Sequence, residues 1–111
     1  MGALPPLLIM PIKKDYNFKS KTAVVTFTIP ESISLNYSAC SVVGDFNNWN
    51  PEIHKMHRLN AFAPFVIKIE LPANKTFQFK YLFNDNKWFI EDDSDGLIPN
   101  LHGTENSILN L

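Results

Sequence analysis

The sequence predicts a single all-β domain, an immunoglobulin-like antiparallel β-sandwich. Apolar and polar residues alternate with a period of two along several segments, and prolines or clusters of turn-forming residues separate these segments. Almost no stretch shows the periodicity of an amphipathic helix. Because each such strand has one apolar face to bury, two sheets packed face to face are the expected architecture.

The first clear strand is predicted at residues 22–29. The apolar side chains of Val25, Phe27 and Ile29 fall on one face of this segment, and Pro30 ends it. A second strand is expected at about residues 38–44, where it runs into a dense cluster of turn formers.

The two best-patterned strands are predicted at residues 64–71 and 76–83, separated by a short turn after Pro72. Each places four apolar side chains on one face. These are Phe65, Ile67, Ile69 and Leu71 in the first strand and Phe77, Phe79, Tyr81 and Phe83 in the second. A last strand is expected at residues 106–111, and the only helical turn near residues 51–56.

At 111 residues the chain has the size of one domain, and its 45% hydrophobic and 19% charged content is that of a globular protein. We expect the sandwich to occupy residues 20–111. Residues 1–19 are predicted to form an N-terminal extension that is partly disordered. Residues 1–9 resemble an upstream segment rather than a signal peptide, because two prolines interrupt the apolar run and no basic residue precedes it.

The charges are nearly balanced. Ten lysines and arginines against eleven acidic residues give a net charge of -1, so nucleic acid and anionic membranes are not expected partners. The single cysteine, Cys40, lies in a predicted strand, where its thiol is expected to pack as a small hydrophobe. Because no disulfide framework is possible, a reducing compartment is allowed, which favours a cytoplasmic location.

Two tryptophans, Trp49 and Trp88, lie in polar, turn-rich surroundings outside the alternating strand patterns. An exposed indole can cover the C–H face of a sugar ring while neighbouring amides and a lysine bond the hydroxyls at its rim. A loop tryptophan can equally cap the end of a sandwich core. Two such rings, together with Lys80 on a predicted solvent face, favour the sugar-binding interpretation.

Three segments together resemble the family-48 carbohydrate-binding modules. They are residues 43–51 (VGDFNNWNP), residues 79–83 (FKYLF) with Trp88 close behind, and residues 103–107 (GTENS). The family includes the early-set domain at the N-terminus of isoamylases and branching enzymes, and the glycogen-binding domain of AMP-activated protein kinase β subunits. The resemblance covers about residues 20–111, and its first element, G-[DES]-F-N-x-W, is the most specific.

The resemblance implies a non-catalytic site for α-1,4-glucans such as glycogen, starch and maltooligosaccharides, with no cofactor. Two tryptophans would stack on adjacent glucose units, a strand lysine would bond hydroxyls, and an asparagine near the C-terminus would add another bond. By position these roles fall to Trp49, Lys80, Trp88 and Asn106. A leucine that inserts beside the sugar in the kinase-subunit domains falls at Leu101 or His102.

A second hypothesis is an accessory or interaction module. Such a domain would dock onto a glycan-processing enzyme, of the α-amylase class of glycoside hydrolases to which these modules are usually attached, or onto itself. An exposed edge strand could drive this pairing, and the sugar site would then be vestigial.

Metal sites are not predicted. The acidic stretch 91–96 places carboxylates at EF-hand spacing, but His102 stands where the bidentate glutamate should be and no flanking helices are predicted, so a solvated loop is the better interpretation. His54 and His57 have no zinc spacing with His102 or Cys40.

An enzyme is the third and least favoured hypothesis. Glycoside hydrolysis would need a carboxylate pair drawn from Asp45, Asp85 or the acidic loop. The α-amylase class carries out its chemistry in a barrel of about 250 residues, for which this chain is too short. We therefore predict no catalytic residues.

Overall fold

The structure is a computed structural model that describes residues 12–111. It contains eight strands, all paired antiparallel. In chain order they are β1 (Ile12–Asn17), β2 (Thr22–Ile29), β3 (Cys40–Gly44), β4 (Phe65–Pro72), β5 (Thr76–Phe83), β6 (Trp88–Phe89), β7 (Gly96–Pro99) and β8 (Glu105–Asn110). One sheet has the order β1-β2-β4; the other has the order β3-β5-β8-β7, with β6 also paired to β5.

The core lies between the two sheets and draws on both. Phe27 of β2 meets Phe79 and Tyr81 of β5 edge to face, with ring centroids 5.3 and 6.4 Å apart. Such pairs contribute about 0.5–1.5 kcal/mol each beyond the area that they bury. The structure therefore confirms the predicted all-β sandwich and the inward aromatic face of β5, in which only Phe77 is half-buried.

Cys40 packs in this core as predicted. Its side chain is buried, and burial raises the pKa of the thiol to about 12. A thiol that stays protonated is a poor nucleophile, so Cys40 has a packing role.

The helical turn predicted at residues 51–56 is wrong. Helical turns occur instead at α1 (Glu31–Ser34) and in a single 3-10 turn at Asp45–Asn47. The segment after Pro51 runs beside the edge of β3, where Met56 N–H donates to Cys40 O at 2.8 Å. Its backbone is thereby committed to sheet-like pairing. Among the described residues, no helix is long and apolar enough to cross a membrane.

The sandwich begins earlier than the predicted boundary at residue 20. Strand β1 forms an edge of its sheet, with Ile12 buried opposite Phe27. Lys14 bridges the two sheets, donating to Asp95 Oδ2 at 2.7 Å and to Asn110 O at 3.0 Å. The predicted N-terminal extension of residues 1–19 is therefore wrong at residues 12–17, which form β1 of the sandwich. Its first part, up to residue 11, lies outside the described residues.

Candidate functional site

Three of the four predicted site residues, Lys80, Trp88 and Asn106, lie on the side of the β3-β5-β8-β7 sheet that points away from the core. We call this side the outer face. Because the odd-numbered aromatics of β5 point into the core, Lys80 and Leu82 point outward. Trp88 is the register partner of Leu82 and so shares its side of the sheet. Asn106 joins them through a hydrogen bond from its amide to Gln78 Oε1 at 3.1 Å.

Trp88 is the exposed ring of this surface, with 46% of the residue open to solvent. The following residue, Phe89, points the other way and packs on Phe83 with ring centroids 4.9 Å apart. The hairpin between β5 and β6 closes through Phe83 N–H to Lys87 O at 2.9 Å. The Phe89 side chain, packed on the core, therefore anchors β6, the short strand that carries the Trp88 indole.

Lys80 departs from the predicted solvent-exposed position. It lies on the outer face, but the residue is only 8% exposed. Its ammonium donates to Thr104 Oγ1 at 3.3 Å in the turn between β7 and β8. Within residues 12–111 no carboxylate lies within ion-pair distance of Lys80, and Thr104 is the one hydrogen-bond acceptor of its ammonium. Since an ammonium has three donors, two have no partner among the described residues.

Asn106 is also largely covered, at 8% exposure. Besides donating to Gln78, it accepts a hydrogen bond from Asn100 Nδ2 at 2.9 Å. Asn100 in turn organises the β7–β8 turn, because its Oδ1 accepts from the backbone N–H groups of His102 and Thr104. Asn106 thus supports the turn that carries the acceptor for Lys80.

Trp49 lies at the margin of this surface and is half-buried. Its backbone is left-handed, with φ 57°, as is that of Asn48. The indole N–H donates to Asp45 Oδ1 at 3.0 Å, while Asp45 Oδ2 accepts from the backbone N–H of Gln78 at 2.7 Å. Trp49 is thus linked to β5 at Gln78, whereas Trp88 pairs with β5 at Leu82. These two positions are four residues apart, about 13 Å at the usual rise of a strand, and Lys80 lies midway between them.

The G-D-F-N-N-W segment owes much of its pattern to local folding. Asn47 is buried, with its Oδ1 accepting from Gly44 N–H and its amide donating to Val42 O. The same amide reaches His54 Nδ1 at 2.9 Å, and burial lowers the pKa of His54, which favours the neutral ring that can accept this bond. Phe46 packs on Phe27 of the core.

Sequence reasoning missed the supporting residues Asp45, Gln78, Asn100 and Thr104. From the sequence, Asp45 is part of the 43–51 segment and a candidate for a catalytic carboxylate pair, whereas the structure engages both of its oxygens in positioning. The spacing of Asp45 four residues before Trp49 was a usable signal, because a carboxylate beside a turn often accepts nearby N–H groups. The other three depend on contacts between distant strands.

The two leucine-site candidates lie together at the tip of the β7–β8 turn. Leu101 is fully exposed and His102 is exposed beside it. The acidic loop is solvated at Asp92 and Asp93, whereas the carboxylate of Asp95 pairs with Lys14. Glu91 is buried, contrary to expectation, and accepts a hydrogen bond from the core hydroxyl of Tyr81. Across the described part of the chain, no three His, Cys, Asp or Glu side chains are grouped closely enough to hold a metal ion.

The chain matches no known protein-family model, and no curated protein matches its sequence.

Proposed function

We propose that the outer face binds chains of α-1,4-glucan, such as glycogen, starch or maltooligosaccharides, without cleaving them. The observation that carries this proposal is the exposed Trp88 indole on the same face as the Lys80 ammonium, which has no carboxylate partner among the described residues. A flat apolar ring beside unfilled N–H donors suits a ligand with apolar ring faces and neutral hydroxyls.

In this proposal Trp88 stacks on a glucose ring and Lys80 donates to its hydroxyls. Trp49 supplies a second, partly covered ring at the far margin, and Asn106 positions the β7–β8 turn as well as offering an amide. Affinity should be weak, with a Kd between about micromolar and millimolar, because an open surface buries little area and a flexible glucan loses entropy on binding. Cytoplasmic location belongs to the same proposal, since the one cysteine is free.

Affinity electrophoresis in native gels containing glycogen or amylopectin tests this function. The protein should be retarded by polysaccharide, and Trp88→Ala should abolish most of the retardation because it removes the stacking plate. Phe62→Ala is the matched control, since it removes another exposed aromatic from a loop outside the outer face. Equal mobility of the unmodified protein with and without polysaccharide would contradict the proposal, and release of reducing ends from starch would contradict its non-catalytic part.

Two lysine variants test whether the Lys80 ammonium contributes to glucan binding. Lys80→Met keeps the aliphatic stem and removes the donors, so maltoheptaose binding should weaken about tenfold. Lys68→Met removes an exposed lysine from the opposite sheet and should leave binding unchanged. If both variants bind like the parent chain, Lys80 has no role in recognition.

A second candidate function is docking to a protein partner, which an apolar loop favours. Leu59 and Phe62 are strongly exposed in the segment before β4. Arg58 fixes this segment by donating to Ser34 O at 3.0 Å and to Tyr37 O at 2.7 Å. Neighbouring exposed apolar side chains can form a docking site, here for a glycan-processing enzyme or for a second copy of the chain. Concentration-dependent mass in sedimentation, with no response to maltoheptaose, would support this function over glucan binding.

A further inference from the structure

A cavity of about 280 Å³ lies at one end of the sandwich, on the core side of the strands that carry the outer face. Its walls are apolar and come from both sheets and from α1; they include Ile29, Ile33, Phe83, Phe89 and Ile90. Phe89 faces this cavity while the preceding Trp88 faces the opposite side of the sheet. The cavity is therefore separate from the proposed glucan surface.

A buried carboxylate lies in the wall of this cavity. Glu91 is only 5% exposed, and its Oε1 accepts from the Tyr81 hydroxyl at 2.7 Å while Oε2 accepts from Asp93 N–H at 3.0 Å. Both partners are neutral donors, and in the described chain no lysine, arginine or histidine lies within ion-pair distance of Glu91. A buried carboxylate without a counter-charge is costly, and burial raises the pKa of Glu91 accordingly.

The surrounding charge has the same sign. Asp92 also lines the cavity and Asp93 follows it, so the local field repels anions and favours a cation. The aromatic rings of Phe83 and Phe89 in the lining suit a cation that carries apolar surface. A hydrated metal ion would gain nothing from these apolar walls.

We infer that this cavity binds a small organic ammonium ion with an apolar group, whose ammonium pairs with the Glu91 carboxylate while its apolar part packs among Ile33, Phe83 and Phe89. The ligand supplies the positive charge that the buried carboxylate lacks. The volume accommodates a small body such as one aromatic ring with a short side chain, and it lies just below the usual range of about 300–1,000 Å³ for small-molecule sites.

The test uses benzylamine as the probe and benzyl alcohol as its neutral analogue, titrated into the full chain and followed by amide chemical shifts. Benzylamine should shift the amides of Ile33, Phe89 and Glu91 over the millimolar range, and benzyl alcohol should bind about tenfold more weakly. Equal binding of the two probes would overturn the inference, as would an absence of shifts with benzylamine.

Two variants separate the charge from the fold. Glu91→Gln should weaken benzylamine binding about tenfold without affecting benzyl alcohol, whereas Glu70→Gln, an exposed carboxylate on the other sheet, should change neither. Ile90→Trp leaves Glu91 in place and fills the partly exposed mouth, so it should block both probes even if Glu91→Gln fails to fold. Unchanged benzylamine binding in Ile90→Trp would place the probe elsewhere and refute the assignment.

Discussion

The indole N–H of Trp49 donates to the Asp45 carboxylate across 3.0 Å. The other oxygen of that carboxylate accepts from the backbone N–H of Gln78, so one side chain links a ring to the strand that carries Lys80. The Trp49 backbone is left-handed, a conformation that costs a bulky residue about 1 kcal/mol or more, so the hydrogen bonds around it must offset that cost.

We predict that Asp45→Ala releases the Trp49 ring. Loss of the hydrogen bonds should lower the free energy of unfolding by about 1 kcal/mol, and the Trp49 indole N–H resonance should move toward its position in a disordered peptide. Nuclear magnetic resonance and urea unfolding measure the two effects. Asp85→Ala, which removes an exposed hairpin carboxylate, is the control, and an unmoved indole resonance in Asp45→Ala would show that the ring is held by packing alone.

Gly44 has a specific steric role in the same segment. It lies opposite Phe79 in the β3–β5 register, and a Cβ at this position would clash with the backbone of Gln78 and come within 2.8 Å of Phe79 Cβ. We expect Gly44→Ala to destabilise the fold by about 1–3 kcal/mol, measured by urea unfolding, because backbone atoms cannot move aside as a side chain can.

Gly103→Ala separates this steric effect from backbone strain. Gly103 has a positive φ of 77° but open space around the position of a Cβ, so its substitution should cost about 1 kcal/mol through conformation alone. A Gly44→Ala cost no greater than that of Gly103→Ala would contradict the close-approach argument.

Much of the fold was predictable because alternation directly reports burial. In β2 and β5 each apolar face packs on the opposite sheet, and both strands match the predicted bounds. Strand β1 has no such alternation, since it is an edge strand with largely exposed polar side chains, and its pairing with β2 is not encoded in its own pattern. The segment around Met56 was mispredicted for the same reason: its partner is the distant Cys40.

The outer face could be predicted in part. Alternation along β5 predicts that Lys80 points outward, and the family resemblance implied a shared site with Trp88 and Asn106, which the structure places on the same face. The burial of Lys80 and Asn106 could not be predicted. Lys80 is covered because the β7–β8 turn brings Thr104 to its ammonium. That contact joins residues whose proximity depends on the whole sheet.

The Lys14 bridge between the sheets should stabilise the edge strand. Its ion pair with Asp95 is partly buried, and the same ammonium also bonds Asn110 O. We expect Lys14→Met to lower the free energy of unfolding by about 1 kcal/mol, and less at high salt because screening already weakens the pair. Lys13→Met is the adjacent control, since its pair with Asp15 spans 3.8 Å and is exposed. Equal costs for the two variants would show that the bridge contributes nothing specific.

Glu91 should give the protein a recognisable pH dependence. Burial is the largest cause that raises the pKa of the Glu91 carboxyl in the folded state above the ordinary value of 4.5. Between pH 4.5 and that raised pKa, the folded chain therefore holds a proton that the unfolded chain has lost. The free energy of unfolding falls with rising pH wherever the folded state binds more protons. This contribution is therefore present in full below pH 4.5 and is lost as pH rises through the folded pKa of Glu91.

The Glu91→Gln variant isolates the contribution of Glu91 ionisation to stability, because a glutamine side chain does not titrate. Any hydrogen bond that glutamine loses to Tyr81 or Asp93 costs about the same at every pH, whereas the burial of charge costs the parent chain only after Glu91 ionises. The stability of Glu91→Gln relative to the parent chain should therefore improve as pH rises above 4.5 and level off once the folded-state carboxyl of the parent has ionised, as measured by urea unfolding at intervals. Parallel profiles would mean that Glu91 ionises at the same pH folded and unfolded, and a relative stability that falls with pH would mean that a counter-charge reaches it.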